Sequence, residues 1–233
     1  MLCRFSYVSM LSIMTTTLPQ FESPRYPINV INRGRCCYSE ENVRLDYNIS
    51  TSNSLIMSEQ RLERIKKSIN AVPDFPKPGV LFRDIFPLFQ DVSVITETIS
   101  MMVEHVKEKF GSVDVIVGLD ARGFLFGPMM AVQLGCSFVP IRKKGKLPGK
   151  CVQAAYTLEY GDDVLEAQVG SISKGQRVVI VDDLIATGGT MRAASSLVTQ
   201  MSGTVLECLV LIELLDLKGS ATLKHPFHSF LEY

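Results

Sequence analysis

The 233-residue chain has no excess charge of either sign, because 24 Lys and Arg balance 24 Asp and Glu. That removes any global electrostatic case for coating nucleic acid or gripping an anionic membrane, although a local basic patch remains possible. No hydrophobic run approaches the roughly 20 residues that a bilayer-spanning helix needs. The best candidate, Val205–Leu215, is short and carries Glu207 and Glu213. The six cysteines (3, 36, 37, 136, 151 and 208) show no Cys-x-x-Cys spacing. In a chain of this size they do not read as a disulfide framework, so a reducing compartment, the cytoplasm, is the expectation. Internal repeats and low-complexity tracts are absent. Neither the P-loop pattern nor the Gly-x-Gly-x-x-Gly fingerprint occurs, which excludes the two best-known phosphate loops.

What the chain does have is 46% hydrophobic and 21% charged residues, enough to bury the core of one sizeable domain. Its first 56 residues stand apart, with no Lys, five Arg, four acids and no sustained periodicity. Residues 1–56 are expected to be an irregular, disordered extension, and residues 57–233 the working domain. A weak apolar stretch at Tyr7–Met14, in a segment without acids, leaves a poor organellar presequence as the alternative.

From Met57 the pattern is regular. Leu62, Ile65, Ile69 and Val72 mark one helical face, expected to run to Pro73. A second helix is predicted from Val92, with Ile95, Ile99, Met102, Val106 and Phe110 on one stripe and Gly111 as its stop. Four β-branched apolar runs follow, at Val113–Leu119, Ser137–Ile141, Val178–Asp182 and Val205–Ile212. Helical stretches at Phe124–Leu134 and Met191–Met201 lie between them. Buried strands alternating with helices predict an α/β fold built on a doubly wound, mostly parallel sheet.

The chemistry concentrates in Val181-Asp182-Asp183-Leu184-Ile185-Ala186-Thr187-Gly188-Gly189-Thr190. A buried strand ends in two acids, and a short Thr/Gly loop opens a helix. Ligands of open α/β sheets bind beyond the carboxyl ends of the strands, where this unit points. Free N–H groups at the helix start, with the hydroxyls of Thr187 and Thr190, make a cradle for phosphate. The acids would repel that phosphate, so they are expected to face hydroxyl donors or a metal-bearing group. A sugar phosphate meets both demands. Asp120, Ala121 and Arg122 follow another strand on the same edge, where the guanidinium suits phosphate. Arg142, Lys143, Lys144, Lys146 and Lys150 form an acid-free run that Gly145, Pro148 and Gly149 keep out of a helix. The reading is a mobile basic lid, set against an ordinary solvated loop. His105 is expected to face solvent beside Glu104. His225 and His228 have no partners at zinc spacing, and the Phe and Met residues of 124–134 are most simply core.

The acid-loop stretch resembles the phosphoribosyl-pyrophosphate signature of the type I phosphoribosyltransferases, in the wording of their adenine-specific members. Further similar stretches, in order, are Pro73–Asp84, Gly118–Gly127, Arg142–Gly149 and Tyr156–Tyr160, so the resemblance spans residues 58–233. It implies an N-terminal hood, a flexible lid hairpin, and transfer of phosphoribosyl from 5-phospho-α-D-ribose 1-diphosphate to adenine, giving AMP and pyrophosphate. The donor would be held by Asp182, Asp183, Ala186, Thr187, Gly188, Gly189, Thr190, Asp120, Ala121, Arg122, Lys143, Lys146 and Tyr160. A non-proline cis peptide between Asp120 and Ala121 is also implied. Phe82 would stack on adenine, with backbone groups of Leu81 and Arg83 reading its edge. Glu159 would assist proton removal. Magnesium is expected to arrive bound to substrate with no protein ligand, and the chain to form a homodimer without nucleic-acid or membrane partners. The rival readings are another purine base or a non-enzymatic phosphoribosyl-pyrophosphate sensor, which would need a DNA-binding helix pair that the chain does not offer.

Overall fold

Strand Val115–Leu119 is buried at all five positions, and the sheet is assembled around it. The computed structural model describes residues 57–158 and 161–233, and their side chains except at 156–158, 161 and 162. Helix α1 (57–67) leads into a two-stranded antiparallel hairpin, β1 (Asn70–Pro73) and β2 (Leu81–Asp84). A 3-10 turn at Phe86–Gln90 precedes α2 (Val92–Phe110). Then come β3 (Val115–Leu119), α3 (Gly123–Leu134), β4 (Ser137–Lys143), β5 (Cys151–Leu158) and β6 (Gly161–Gln168). The chain closes with β7 (Arg177–Ile185), α4 (Gly189–Gln200), β8 (Thr204–Glu213) and β9 (Phe227–Glu232). The seven-stranded sheet has the order β5-β6-β4-β3-β7-β8-β9. Its β4-β3-β7-β8-β9 portion is parallel, and the β5–β6 hairpin joins β4 antiparallel. The expected doubly wound, mostly parallel α/β fold is present.

Apolar side chains of α1, α2 and α3 pack with Val181 and Leu211 on one face. Leu197 and Val198 of α4 pack with Ile180 and Val210 on the other, together with Ala154, Leu165 and Ala167 of the hairpin. The second helix starts and stops where its pattern predicts: Asp91 caps its N-terminus through the Ser93 and Val94 N–H groups, and Gly111 (φ +72°) ends it.

Three elements differ from expectation. The first helix ends at residue 67, and Ile69 and Val72 belong to a turn and a strand instead of a helical stripe. Pairing of Asn70–Pro73 with Leu81–Asp84 outweighs the helical pattern there. Strand β7 does not end at Asp182 but continues to Ile185, because β8 is long enough to pair with Leu184 and Ile185. The segment around His228 is a seventh strand, β9, alongside β8. Among the described residues no helix is long and apolar enough to cross a membrane.

Candidate functional site

Strand order sets the site. β3 and β7 are parallel neighbours, in register from Val115–Val178 to Gly118–Val181, so the turn after Leu119 lies beside the acids of β7. At that turn the Asp120–Ala121 peptide is cis, and α3 begins two residues later at Gly123. Gly123 is required by close approach: a Cβ there would sit 2.6 Å from the Val181 carbonyl and 3.1 Å from Asp182 Oδ1. Arg122, Asp182, Asp183 and residues 184–191 enclose a cleft of about 210 Å³. Larger grooves exist elsewhere, about 400 Å³ between α2 and α3 and about 540 Å³ beside α4. Neither gathers opposed charges at the end of the parallel strands, so the smaller cleft is the functional candidate.

The cradle half of this cleft is backbone. Gly188 takes φ +79° as the N-cap of α4, with no side chain capping the helix. The first N–H groups of that helix are thus uncapped by side chains and suited to an anion. The loop is braced from outside by a segment that sequence reasoning missed. A Cβ on Gly188 would meet the Gly219 carbonyl and Thr222 Oγ1 at 2.5 Å, and one on Gly219 would lie 2.1 Å from the Ala186 carbonyl. Ala186 and Thr190 are half-buried, Thr187 is exposed, and Gly188 and Gly189 are buried.

The acidic half is strained electrostatically. Arg122 Nε lies 3.0 Å from Asp183 Oδ2. The approach is poorly aligned, and Arg122 Nη1 and Asp183 Oδ2 remain buried without a hydrogen-bond partner. Burial pushes the Asp182 carboxyl well above the usual carboxylate range, and the neighbouring Asp183 charge pushes it further. Burial also raises Asp183, while Arg122 pulls it partly back. Orphaned polar groups at a strand end suit a ligand that brings hydroxyl donors and a cation-bearing diphosphate together.

The β1–β2 hairpin brings Phe82 to this edge. Phe82 packs edge-on to Phe75 at 5.0 Å, and the Arg122 guanidinium lies 5.2 Å from the Phe82 ring centroid. Leu81 is half exposed, and Arg83 stacks its guanidinium 3.8 Å from the ring of Tyr233, the last residue. β2 has only β1 as a strand neighbour among the described residues. Phe82 thus shares the site with Arg122, while the Arg83 side chain is turned to the C-terminus.

The basic run begins inside the sheet and continues into the turn that follows β4. Arg142 and Lys143 complete β4, and Arg142 Nε donates to Asp120 Oδ2 at 2.8 Å. Lys143 pairs with Asp163 of β6 at 2.7 Å, and Lys146 is exposed. The basic side chain that reaches the Asp120 turn is therefore Arg142, not Lys143. Pairing of β4 with β6 imposes this, since successive strand residues point to opposite faces. Glu159 and Tyr160 lie outside the described residues. Among the described residues no cluster of three or more His, Cys, Asp or Glu is placed to hold a metal ion.

A profile of the Phosphoribosyl transferase domain matches residues 91–229. Over 179 residues the chain is 51% identical to the adenine phosphoribosyltransferase of Rattus norvegicus, covering 76% of this chain and 99% of the relative. The chain belongs to the adenine phosphoribosyltransferase family. Its Caenorhabditis elegans relative is 51% identical over 165 residues, covering 71% of this chain and 89% of that one. The Saccharomyces cerevisiae adenine phosphoribosyltransferase, solved with an imino-altritol bisphosphate and adenine, superposes with a TM-score of 0.73 at 43% identity. That match covers 74% of this chain and 99% of the yeast one. The Trypanosoma brucei enzyme, solved with AMP, pyrophosphate and ribose-5-phosphate, gives 0.68 at 30% identity, covering 74% and 79%. Within this family frame, His105 is not a solvent-facing residue: its Nε2 lies 2.7 Å from Glu207 and its ring stacks on His228. Nor is α3 core all round, since Met129 and Val132 are exposed.

Proposed function

We propose that this chain transfers the phosphoribosyl group of 5-phospho-α-D-ribose 1-diphosphate to N9 of adenine, releasing AMP and pyrophosphate in purine salvage. The observation that carries the reading is the cleft itself. One edge of the sheet combines a backbone phosphate cradle, an acid pair of half-buried Asp182 and buried Asp183 with an unpartnered oxygen, and an arginine lying under a hood phenylalanine. The 5-phosphate sits on Ala186, Thr187, Gly188, Gly189 and Thr190. Ribose hydroxyls donate to Asp182 and Asp183, relieving the repulsion that raises both carboxyls. Arg122, freed of its poorly aligned contact, turns with Asp120, Ala121 and Lys146 toward the pyrophosphate.

In the displacement, the bond from the anomeric carbon to the pyrophosphate oxygen breaks, and the bond to adenine N9 forms. Positive charge grows on the sugar beside two carboxylates, and negative charge leaves toward cations, so both ends of the transition state meet an opposite field. Magnesium, arriving on the donor and not on a protein ligand, would supply charge neutralisation of the diphosphate. The N9 proton leaves to Glu159, while Phe82 stacks on the base and backbone groups of Leu81 and Arg83 read its edge. Because backbone donors and acceptors are fixed, an oxo group in place of the amino group leaves partners unmatched. Tyr160 and Lys143 are assigned to the donor by family resemblance.

Residues 57–233 carry the whole activity in this reading, and residues 1–56 are dispensable in the cytoplasm. The exposed apolar groove of Ile95, Met129 and Val132 supports a homodimer. Pyrophosphate release, assayed with adenine, hypoxanthine, guanine and orotate, tests the reaction. Turnover with adenine alone is expected. Turnover with another base overturns the specificity, and donor binding without turnover favours a sensor. Near-normal turnover of Glu159→Gln at saturating adenine would remove the proton-transfer role.

A further inference from the structure

The basic turn after β4 is organised by a carboxylate to which the transfer step above gives no role. Glu166 of β6 is buried, 3% exposed. Its Oε1 accepts three successive backbone N–H groups, from Gly145 at 2.9 Å, Lys146 at 3.1 Å and Leu147 at 3.0 Å. Its Oε2 lies 3.5 Å from Gln153 Nε2 of β5. Three consecutive N–H groups converging on one point form a concave nest that ordinarily takes an anion. Gly145, at φ +81°, gives the backbone the reversal the nest requires. Here an internal carboxylate fills the nest. Burial pushes the Glu166 carboxyl up, but these N–H groups outweigh it and hold the group below its ordinary range, so it stays ionised near neutrality.

The turn so fixed acts on the site through one further link. Arg142, the cross-strand partner of Glu166, donates from Nη1 to the Lys146 carbonyl at 3.1 Å and from Nε to Asp120 at 2.8 Å. A contiguous chain therefore runs from Glu166 to the 145–147 turn, to Arg142, and to the Asp120–Ala121–Arg122 turn.

We propose that Glu166 is a positioning residue for the pyrophosphate half of the donor, acting by filling the 145–147 nest so that the Lys146 carbonyl holds Arg142 against the Asp120 turn. The proposal deepens the phosphoribosyl-transfer reading above and rests on it. A carboxylate supplied from within leaves the nest closed to the substrate and makes the side chains, not the turn's N–H groups, the pyrophosphate contacts. Substrate discrimination then divides cleanly, with the hood setting the base and the Glu166 assembly setting the diphosphate.

The test compares Glu166→Ala and Glu166→Gln with the full-length protein. Glu166→Ala is expected to raise KM for phosphoribosyl pyrophosphate, and the inhibition constant of pyrophosphate, by about tenfold, with KM for adenine within about twofold. Glu166→Gln retains an oxygen facing the three N–H groups and should recover most of the loss, to within about threefold. Limited trypsin digestion, which needs no turnover, should cut within residues 142–150 faster in Glu166→Ala than in the parent. Equal KM increases for both substrates, or a lowered melting temperature with donor KM unchanged, overturn the proposal as merely structural. Should the parent protein release no pyrophosphate with any base, the transfer reading fails on that arm alone. The digestion arm then decides for Glu166, and unchanged cleavage refutes it.

Discussion

Two buried acidic positions on neighbouring parallel strands have opposite fates. Glu207 of β8 is fully buried and satisfied: His105 Nε2 lies 2.7 Å from one oxygen and Lys109 Nζ donates to the other at 2.5 Å. Burial raises its carboxyl, but those partners more than offset that and hold it below its ordinary value. Asp182 and Asp183 of β7 have one shared arginine between them, an oxygen with no donor, and carboxyls pushed upward. The register places Val179 opposite Glu207 and Asp182 opposite Val210, so the two situations are only three residues apart along the ladder. Identical chemistry serves stability where α2 supplies partners and is left open where the strands end. The unsatisfied pair lines the proposed donor cleft, where ribose hydroxyls would complete it.

Asp182→Asn gives the largest test of this contrast. Loss of a carboxylate beside the developing sugar cation should lower kcat/KM for the donor by about a thousandfold. The same change should stabilise the fold at neutral pH. A carboxyl whose folded pKa is raised opposes folding once ionised, so the parent loses stability as pH climbs from about 4 through the raised value. The advantage of Asn should therefore grow across that window and then level off. Urea midpoints between pH 4 and 8 measure it, and a less stable Asp182→Asn protein at pH 7 would break the comparison.

Gly219→Ala is intermediate. Its φ of −65° is ordinary, so the penalty comes from the new Cβ against the Ala186 carbonyl. Overpacking of about 1–3 kcal/mol, delivered to the cradle, should raise KM for the donor about 10- to 100-fold and leave KM for adenine nearly unchanged. Steady-state kinetics with each substrate varied in turn checks this.

Glu207→Gln should do the reverse at smaller cost to function. Neutralising it weakens its bonds to the partly exposed His105 and Lys109 and should destabilise the protein by about 1–3 kcal/mol at pH 7, with both KM values within about twofold. Because the folded pKa of Glu207 is depressed, its contribution is present above the unfolded value and fades as pH falls through the folded one. The gap between parent and variant in urea midpoint should therefore close under acid conditions. A donor KM that moved in Glu207→Gln would mean the two regions are not independent.

Much of this was legible in the chain. Strands β3, β4, β7 and β8 announce themselves as apolar β-branched runs because both faces of a parallel sheet are covered. Asp182–Thr190 is readable because its residue types are the ones a phosphate cradle needs at a helix start. Glu166 and Gly219 were invisible for the opposite reason. An acid in a hairpin and a glycine in a late turn carry no local pattern, and their importance lies in backbone 19 or more residues distant. His105 was misplaced because one helical histidine gives no hint that Glu207, from a strand about a hundred residues later, lies beneath it.

The sequence by itself determined the fold class, the four strands β3, β4, β7 and β8 and the candidate cradle residues, because hydrophobic period and Gly/Thr placement act over neighbours. Only the tertiary structure decided which acids are satisfied. It extended β7 beyond Asp182, turned Lys143 onto Asp163 and Arg142 onto Asp120, and gave three N–H groups to Glu166. Hydrogen-bond completion depends on which distant segments a strand order brings together, and pairing energy, not local propensity, sets that order.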